Sequence, residues 1–125
     1  MFRCPRCTTP LQPLRKQGLC IWGCAECDGR LATVATLRRT LEPGFVHRTW
    51  SYAREHREPS ARMCPGCRSA MRSSAPDGAD SALRLDVCVA CQFVWFDARE
   101  LDGAPKKRVQ PPPDFFAAVA MFAGS

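Results

Sequence analysis

The chain has 125 residues, a formal charge of +6 at pH 7 and nine cysteines. That length admits one ordinary domain or two very small ones, and the start Met1-Phe2-Arg3-Cys4-Pro5 carries no apolar leader, so a reducing, cytoplasmic setting is expected. Eight of the cysteines form four C-x-x-C pairs, which in such a setting excludes a disulfide framework and points to metal ligands.

The first two pairs are Cys4/Cys7 and Cys24/Cys27. Two thiols three residues apart fit one corner of a tetrahedral zinc site, and two such knuckles close it. Between them Leu19 and Ile21 fall on one face of a strand, with Gly18 near a turn, so a β-hairpin is expected. After the second knuckle come Leu31 and then Thr33, a residue type suited to cap a helix. Cys20, the odd thiol, reads as a plain strand residue that points outward or packs beside Trp22.

Residues 33–57 look helical. Val34, Leu37 and Leu41 share one face, Pro43-Gly44 interrupts, and Phe45, Val46, Trp50 and Ala53 begin a second stripe. Two short helices are therefore expected as a connector, ending at the boundary Glu58-Pro59-Ser60-Ala61. His47 and His56 have no partner at metal spacing and read as ordinary helix residues. Arg38, Arg39, Arg48, Arg54 and Arg57 could track phosphates, although such a run is more often a solvated face.

A second set of knuckles follows, Cys64-Pro65-Gly66-Cys67 and Cys88-Val89-Ala90-Cys91, and it repeats the first. Leu11 aligns with Met71, Ile21 with Leu85, Leu31 with Trp95, Thr33 with Asp97 and Leu37 with Leu101. Leu83, Leu85 and Val87 alternate with Arg84 and Asp86 as in a half-buried strand, and Pro76-Asp77-Gly78 supplies a turn. Asp97 with Glu100 has the spacing of a capping box at a helix start. Trp95, Phe96 and Trp50 could stack on bases, but core packing is the stronger expectation for so small a fold. Beyond Leu101 regular structure is expected to stop. Lys106-Lys107-Arg108, the run Pro111 to Pro113 and the apolar stretch Phe115 to Ala123 suggest a loose tail with a possible membrane contact, too short for a span of about 20 residues.

The second copy, from Cys64-Pro65-Gly66-Cys67 through Cys88-Val89-Ala90-Cys91 to Trp95-Phe96-Asp97 and Glu100-Leu101, closely resembles the transcription factor IIB type zinc-ribbon domain of many small bacterial proteins. The first resembles a degenerate member, with Leu31, Thr33 and Thr36 where Trp, Asp and Glu are usual. The expected fold is a small metal-stabilised α+β class: two tandem zinc ribbons, each a β-hairpin plus third strand and a short capped helix, joined by a helical connector. Its units are 1–40, the degenerate ribbon; 41–61, the connector; 62–103, the second ribbon; and 104–125, the tail.

Two zinc ions are expected, one on Cys4, Cys7, Cys24 and Cys27 and one on Cys64, Cys67, Cys88 and Cys91, although the spacing alone also allows interleaved sites. Each zinc tetrathiolate carries −2, which lowers the holo-protein's charge from +6 to about +2. Roughly 40 residues bury too little surface to fold alone, so each ribbon should depend on its metal. No nucleophile with its base stands out and four thiolates leave zinc no open position, so neither catalysis nor a small-molecule substrate is expected. Two functions remain open. One is a nucleic-acid or transcription-machinery binding module, which the resemblance and the basic first half suggest. The other is a protein–protein adaptor or an N-terminal cytoplasmic regulatory domain of a membrane protein.

Overall fold

The computed structural model describes residues 2–14 and 18–107. It is a small α+β structure built on one antiparallel sheet. The first half contributes β1 (Gln12–Leu14), β2 (Ile21–Gly23) and β3 (Arg30–Thr33). Two helices follow, α1 (Val34–Thr40) and α2 (Pro43–His56), and then β4 (Pro59–Met63). The second half supplies β5 (Ala70–Ser74), β6 (Leu85–Cys88), β7 (Phe93–Phe96) and the single turn α3 (Glu100–Gly103). All seven strands lie in one sheet in the order β1-β2-β3-β7-β6-β5-β4, so the two halves meet where β3 pairs with β7.

The register of that seam has twofold character. Leu31 faces Trp95, while Arg30 faces Phe96 and Ala32 faces Val94. Because Leu31 and Trp95 occupy aligned positions of the repeat, each half presents the same strand to the other, turned end for end. Alternation along these strands sends side chains to two cores. One face, with Ala32, Val94, Phe96, Leu85 and Val87, is covered by Val34, Leu37 and Leu41 around α1 and by Phe45, Val46 and Ala53 of α2. The other face gathers Cys4, Leu11, Cys24 and Leu31 with Cys64, Met71, Cys88 and Trp95. These are four aligned pairs of the repeat in one shared cluster, so the halves are not packed as separate bodies.

Local chemistry explains most of the helix boundaries. The Thr33 hydroxyl accepts from the Thr36 amide at 3.1 Å and caps α1. Glu42 caps α2, taking the amides of Gly44 and Phe45 at 2.8 Å each, and this holds its carboxyl below the usual range. Pro43 sits in the first turn, where its missing N–H is harmless.

Four details depart from the sequence expectation. The capping box forms only in part: the Glu100 carboxylate accepts the Asp97 amide at 2.7 Å, but Arg99 occupies the cap position of α3 and the Asp97 side chain turns to Trp95. The boundary at Glu58–Ala61 is largely strand β4, whose polar side chains are held by Ser60 donating to Asp86 and Arg62 to Asp97. Cys20 is exposed, as expected of an outward-pointing residue, but precedes β2 instead of lying in it, with its amide donated to the Thr36 hydroxyl at 3.0 Å. Order also continues past Leu101: the Lys107 amide bonds to the Thr40 carbonyl at 2.9 Å and the Glu42 amide to the Pro105 carbonyl at 2.9 Å. Residues 108–125, with most of the expected tail, lie outside the described residues.

Candidate metal centre

The knuckles place eight sulfurs in two groups. Cys4, Cys7, Cys24 and Cys27 form one and Cys64, Cys67, Cys88 and Cys91 the other, with the ligand atoms of each group within 4.8 Å of one another. Each group is assembled within its own half, so the interleaved arrangement is not adopted. None of these cysteines is in a disulfide. Cys4 and Cys27 sulfurs are 3.7 Å apart, and those of Cys67 and Cys88 3.6 Å. A tetrahedral zinc with bonds of about 2.3 Å needs sulfurs about 3.8 Å apart, so the spacing of both groups suits zinc.

The backbone prepares the sulfurs for that charge. Each knuckle turns so that amides point at its first thiol: Arg6 and Cys7 at Cys4 (3.4 and 3.3 Å), Gly66 at Cys64 (3.3 Å) and Cys91 at Cys88 (3.4 Å). The residue just past each second thiol, Thr8, Asp28, Arg68 and Gln92, takes a left-handed conformation that closes the turn. Without metal the four thiols resist ionising together. Burial, then the Cys27 sulfur, pushes Cys7 up to about 12, and burial pushes Cys64 up to about 12 and Cys91 up to about 11. Burial also raises Cys4. One thiol in each group runs the other way. The Ser69 amide brings Cys67 down to about 6; at Cys24 burial is outweighed by the amides of Cys27 and Glu26, which lower it.

The two groups differ in cover: Cys67 is exposed, whereas each sulfur-bearing residue of the first group is buried or half-buried. Beneath them Phe2, Trp22 and Phe93 meet edge to face, with ring centroids 5.0 to 5.9 Å apart. Gly29 makes the closest approach: a Cβ there would lie 2.1 Å from the Trp95 ring. The first half thus leaves room for the indole of the second.

Residues 3–43 match the transcription factor zinc-finger family, a zinc ribbon. The zinc-ribbon match falls on the copy that the sequence alone ranks as degenerate, and it covers both knuckles of the first group. A cysteine cluster of the same composition at residues 64–91 accords with a second copy. Two zinc ions, one on each tetrad, are therefore the cofactors this chain can hold. No curated protein and no solved structure matches the chain.

Neither His47 nor His56 approaches a sulfur cluster: His47 faces Ser51 on α2 and His56 stacks on Tyr52 with centroids 3.7 Å apart. Trp95 and Phe96 are fully buried, which removes both as stacking platforms. The connector arginines Arg38, Arg39, Arg48, Arg54 and Arg57 are exposed, but Arg48 is turned to Asp77 at 3.9 Å and the Pro76 carbonyl at 3.0 Å.

The sequence did not single out a cleft of about 390 Å³ between the tips of the two leading knuckles. Its lining is drawn from aligned positions of both copies: Arg3 with Met63, Cys4 with Cys64, Pro5 with Pro65, and Thr8 with Arg68. Arg6 and Arg62, next along the chain, both lean on the Asp97 carboxylate at 3.9 and 3.5 Å, which also accepts the Trp95 indole N–H at 3.1 Å. Four guanidinium groups thus gather at the leading knuckles, offset by Asp97, by Asp86 and Glu100 beside it, and by the −2 that each zinc tetrathiolate would carry. The signal lay in the repeat itself, since arginines flank each leading knuckle, but only the fold shows that the two knuckles face one another.

Among the described residues no helix is long and apolar enough to cross a membrane.

Proposed function

We infer that this chain is a tandem zinc-ribbon protein that binds nucleic acid, with structural zinc at both sites and the cleft between the leading knuckles as its contact surface. The carrying observation is that Arg3 from one copy and Arg68 from the other line that cleft, with Arg6 and Arg62 beside it held by Asp97. Guanidinium groups grip phosphate through paired N–H donors, and both copies contribute, so a backbone lying across the pseudo-twofold would touch each half. The match of residues 3–43 to a transcription factor zinc-finger supports the same reading. Four thiolates close each zinc, which favours binding over catalysis.

The reading is tested by titrating labelled single-stranded and duplex oligonucleotides with the zinc-loaded protein between 50 and 200 mM salt. Phosphate contacts make the affinity fall linearly on a log-log plot, and removing one of them should lower the slope by about 1. Arg3→Ala and Arg68→Ala should each do so without loss of zinc. Binding that is absent, or indifferent to both arginines, would remove nucleic acid and leave the protein–protein adaptor, for which Met63, 51% exposed and lining the cleft, is the natural anchor.

A further inference from the structure

Opposite the knuckles, the helical face of the sheet is covered unequally. Over the second half, α2 lies on β5 and β6: the Ser74 hydroxyl donates to the Thr49 carbonyl at 2.7 Å, and Leu85 is packed in one cluster with Phe45 and Val46. In the repeat, Leu14 stands at the position of Ser74 and Ile21 at that of Leu85. Ser74 and Leu85 are 0% and 1% exposed, whereas Leu14 is 36% exposed and Ile21 only partly buried. Beside them runs a groove of about 300 Å³, apolar at Leu14, Ile21, Leu41 and Leu101 and rimmed by Thr40, Arg30, Asp102 and Lys106. It is the pseudo-twofold counterpart of the seat that α2 occupies.

The sequence holds a second copy of what fills such a seat. Pro43-Gly44-Phe45-Val46 with Thr49 and Ala53 recurs, seventy residues on, as Pro113-Asp114-Phe115-Phe116 with Val119 and Ala123. Phe45, Val46, Thr49 and Ala53 are the residues that α2 buries. Their counterparts Phe115, Phe116, Val119 and Ala123 are all apolar. The chain also arrives at the right place: Lys106 lines the groove, and the nine residues from there to Phe115 can reach about 30 Å.

We propose that residues 113–123 dock as a helix in the groove over β1 and β2, completing the first half as α2 completes the second. The apolar stretch then belongs to this protein's own core and is not a membrane contact. This proposal does not depend on what the arginine cleft binds.

The test uses the full-length, zinc-loaded protein with labelled methyl and aromatic groups. Nuclear Overhauser contacts are expected from the Leu14 and Ile21 methyls to the rings of Phe115 and Phe116, unchanged on dilution. Phe116→Asp should abolish them while leaving both zinc ions and the Leu85–Phe45 contact in place, which separates release of the segment from unfolding. Absence of the contacts in the native protein, with the Leu85–Phe45 contact present, would overturn the proposal. So would contacts that fade on dilution, which would put a second copy in the groove. Binding of the native protein to phosphatidylserine vesicles, with Leu14 and Ile21 as accessible as in Phe116→Asp, would overturn it in favour of the membrane.

Discussion

Leu31 and Trp95 lie directly opposite one another on β3 and β7, on the knuckle face of the sheet, and neither exposes any surface. They hold the same position in the two copies, so both project toward the axis that relates the halves. Two indoles there would compete for one space. A Leu in one copy and a Trp in the other fill it, and Gly29 gives way to the ring. The feature that makes the first copy look degenerate is thus what lets the second pack against it.

Leu31→Trp should therefore destabilise the zinc-loaded protein by about 1–3 kcal/mol through overpacking. Trp95→Ala should cost about 3–5 kcal/mol through the cavity it leaves. Denaturant unfolding of both variants measures this, and a Leu31→Trp protein as stable as the native one would contradict the packing account.

Each zinc should be assembled by its own half but not be independent of the other. Cys91→Ser is expected to remove the second zinc and leave the first bound, because the ligands of each group come from one half. Since Cys4, Cys24, Cys64 and Cys88 share one cluster with Leu31 and Trp95, the remaining zinc should then pass to a chelator faster than in the native protein. Metal content and the rate of transfer to a coloured chelator check both statements.

Zinc loading should release protons. At pH 7 the metal-free protein keeps Cys4 and Cys7 in the first group and Cys64 and Cys91 in the second as thiols, with Cys7 and Cys64 at about 12 and Cys91 at about 11. Bound thiolates are held far below these values, so stability conferred by zinc is present at high pH and lost as pH falls. At least two protons per zinc should appear in calorimetry run in buffers of different ionisation enthalpy.

Thr33→Ala removes the cap of α1 and should cost about 1 kcal/mol. The variant also frees the Thr36 hydroxyl, which Thr33 donates to at 2.9 Å and which receives the Cys20 amide. Faster amide exchange at Cys20 than in the native protein is therefore expected, and an unchanged rate would mean that Thr36 holds the loop unaided.

Much of the site could be read without the fold, because metal ligation is written locally: two thiols and the turn between them suffice. The Thr33 cap is equally local. What escaped the sequence depends on residues far apart in the chain. Strand β4 is too polar for period-two reasoning to find, since its hold on the sheet comes from Ser60 reaching Asp86 and Arg62 reaching Asp97. The spacing of Asp97 to Glu100 suits a helix cap, but Trp95, Arg62 and Arg6 claim its carboxylate. The joining of two expected ribbons into one sheet has no local signature, because β3 and β7 can announce their strand character and not their partner.

That joint sets an order of events during synthesis. Thr33 pairs with Phe93 and Arg30 with Phe96, so β3 stays an open edge until residues some sixty positions later have been made. The first zinc group is complete by Cys27 and can close early, yet the apolar Leu31 beside it waits for β7. A nascent chain halted before Phe93 would carry an unpaired strand with an apolar face, the kind of edge on which chains associate with one another.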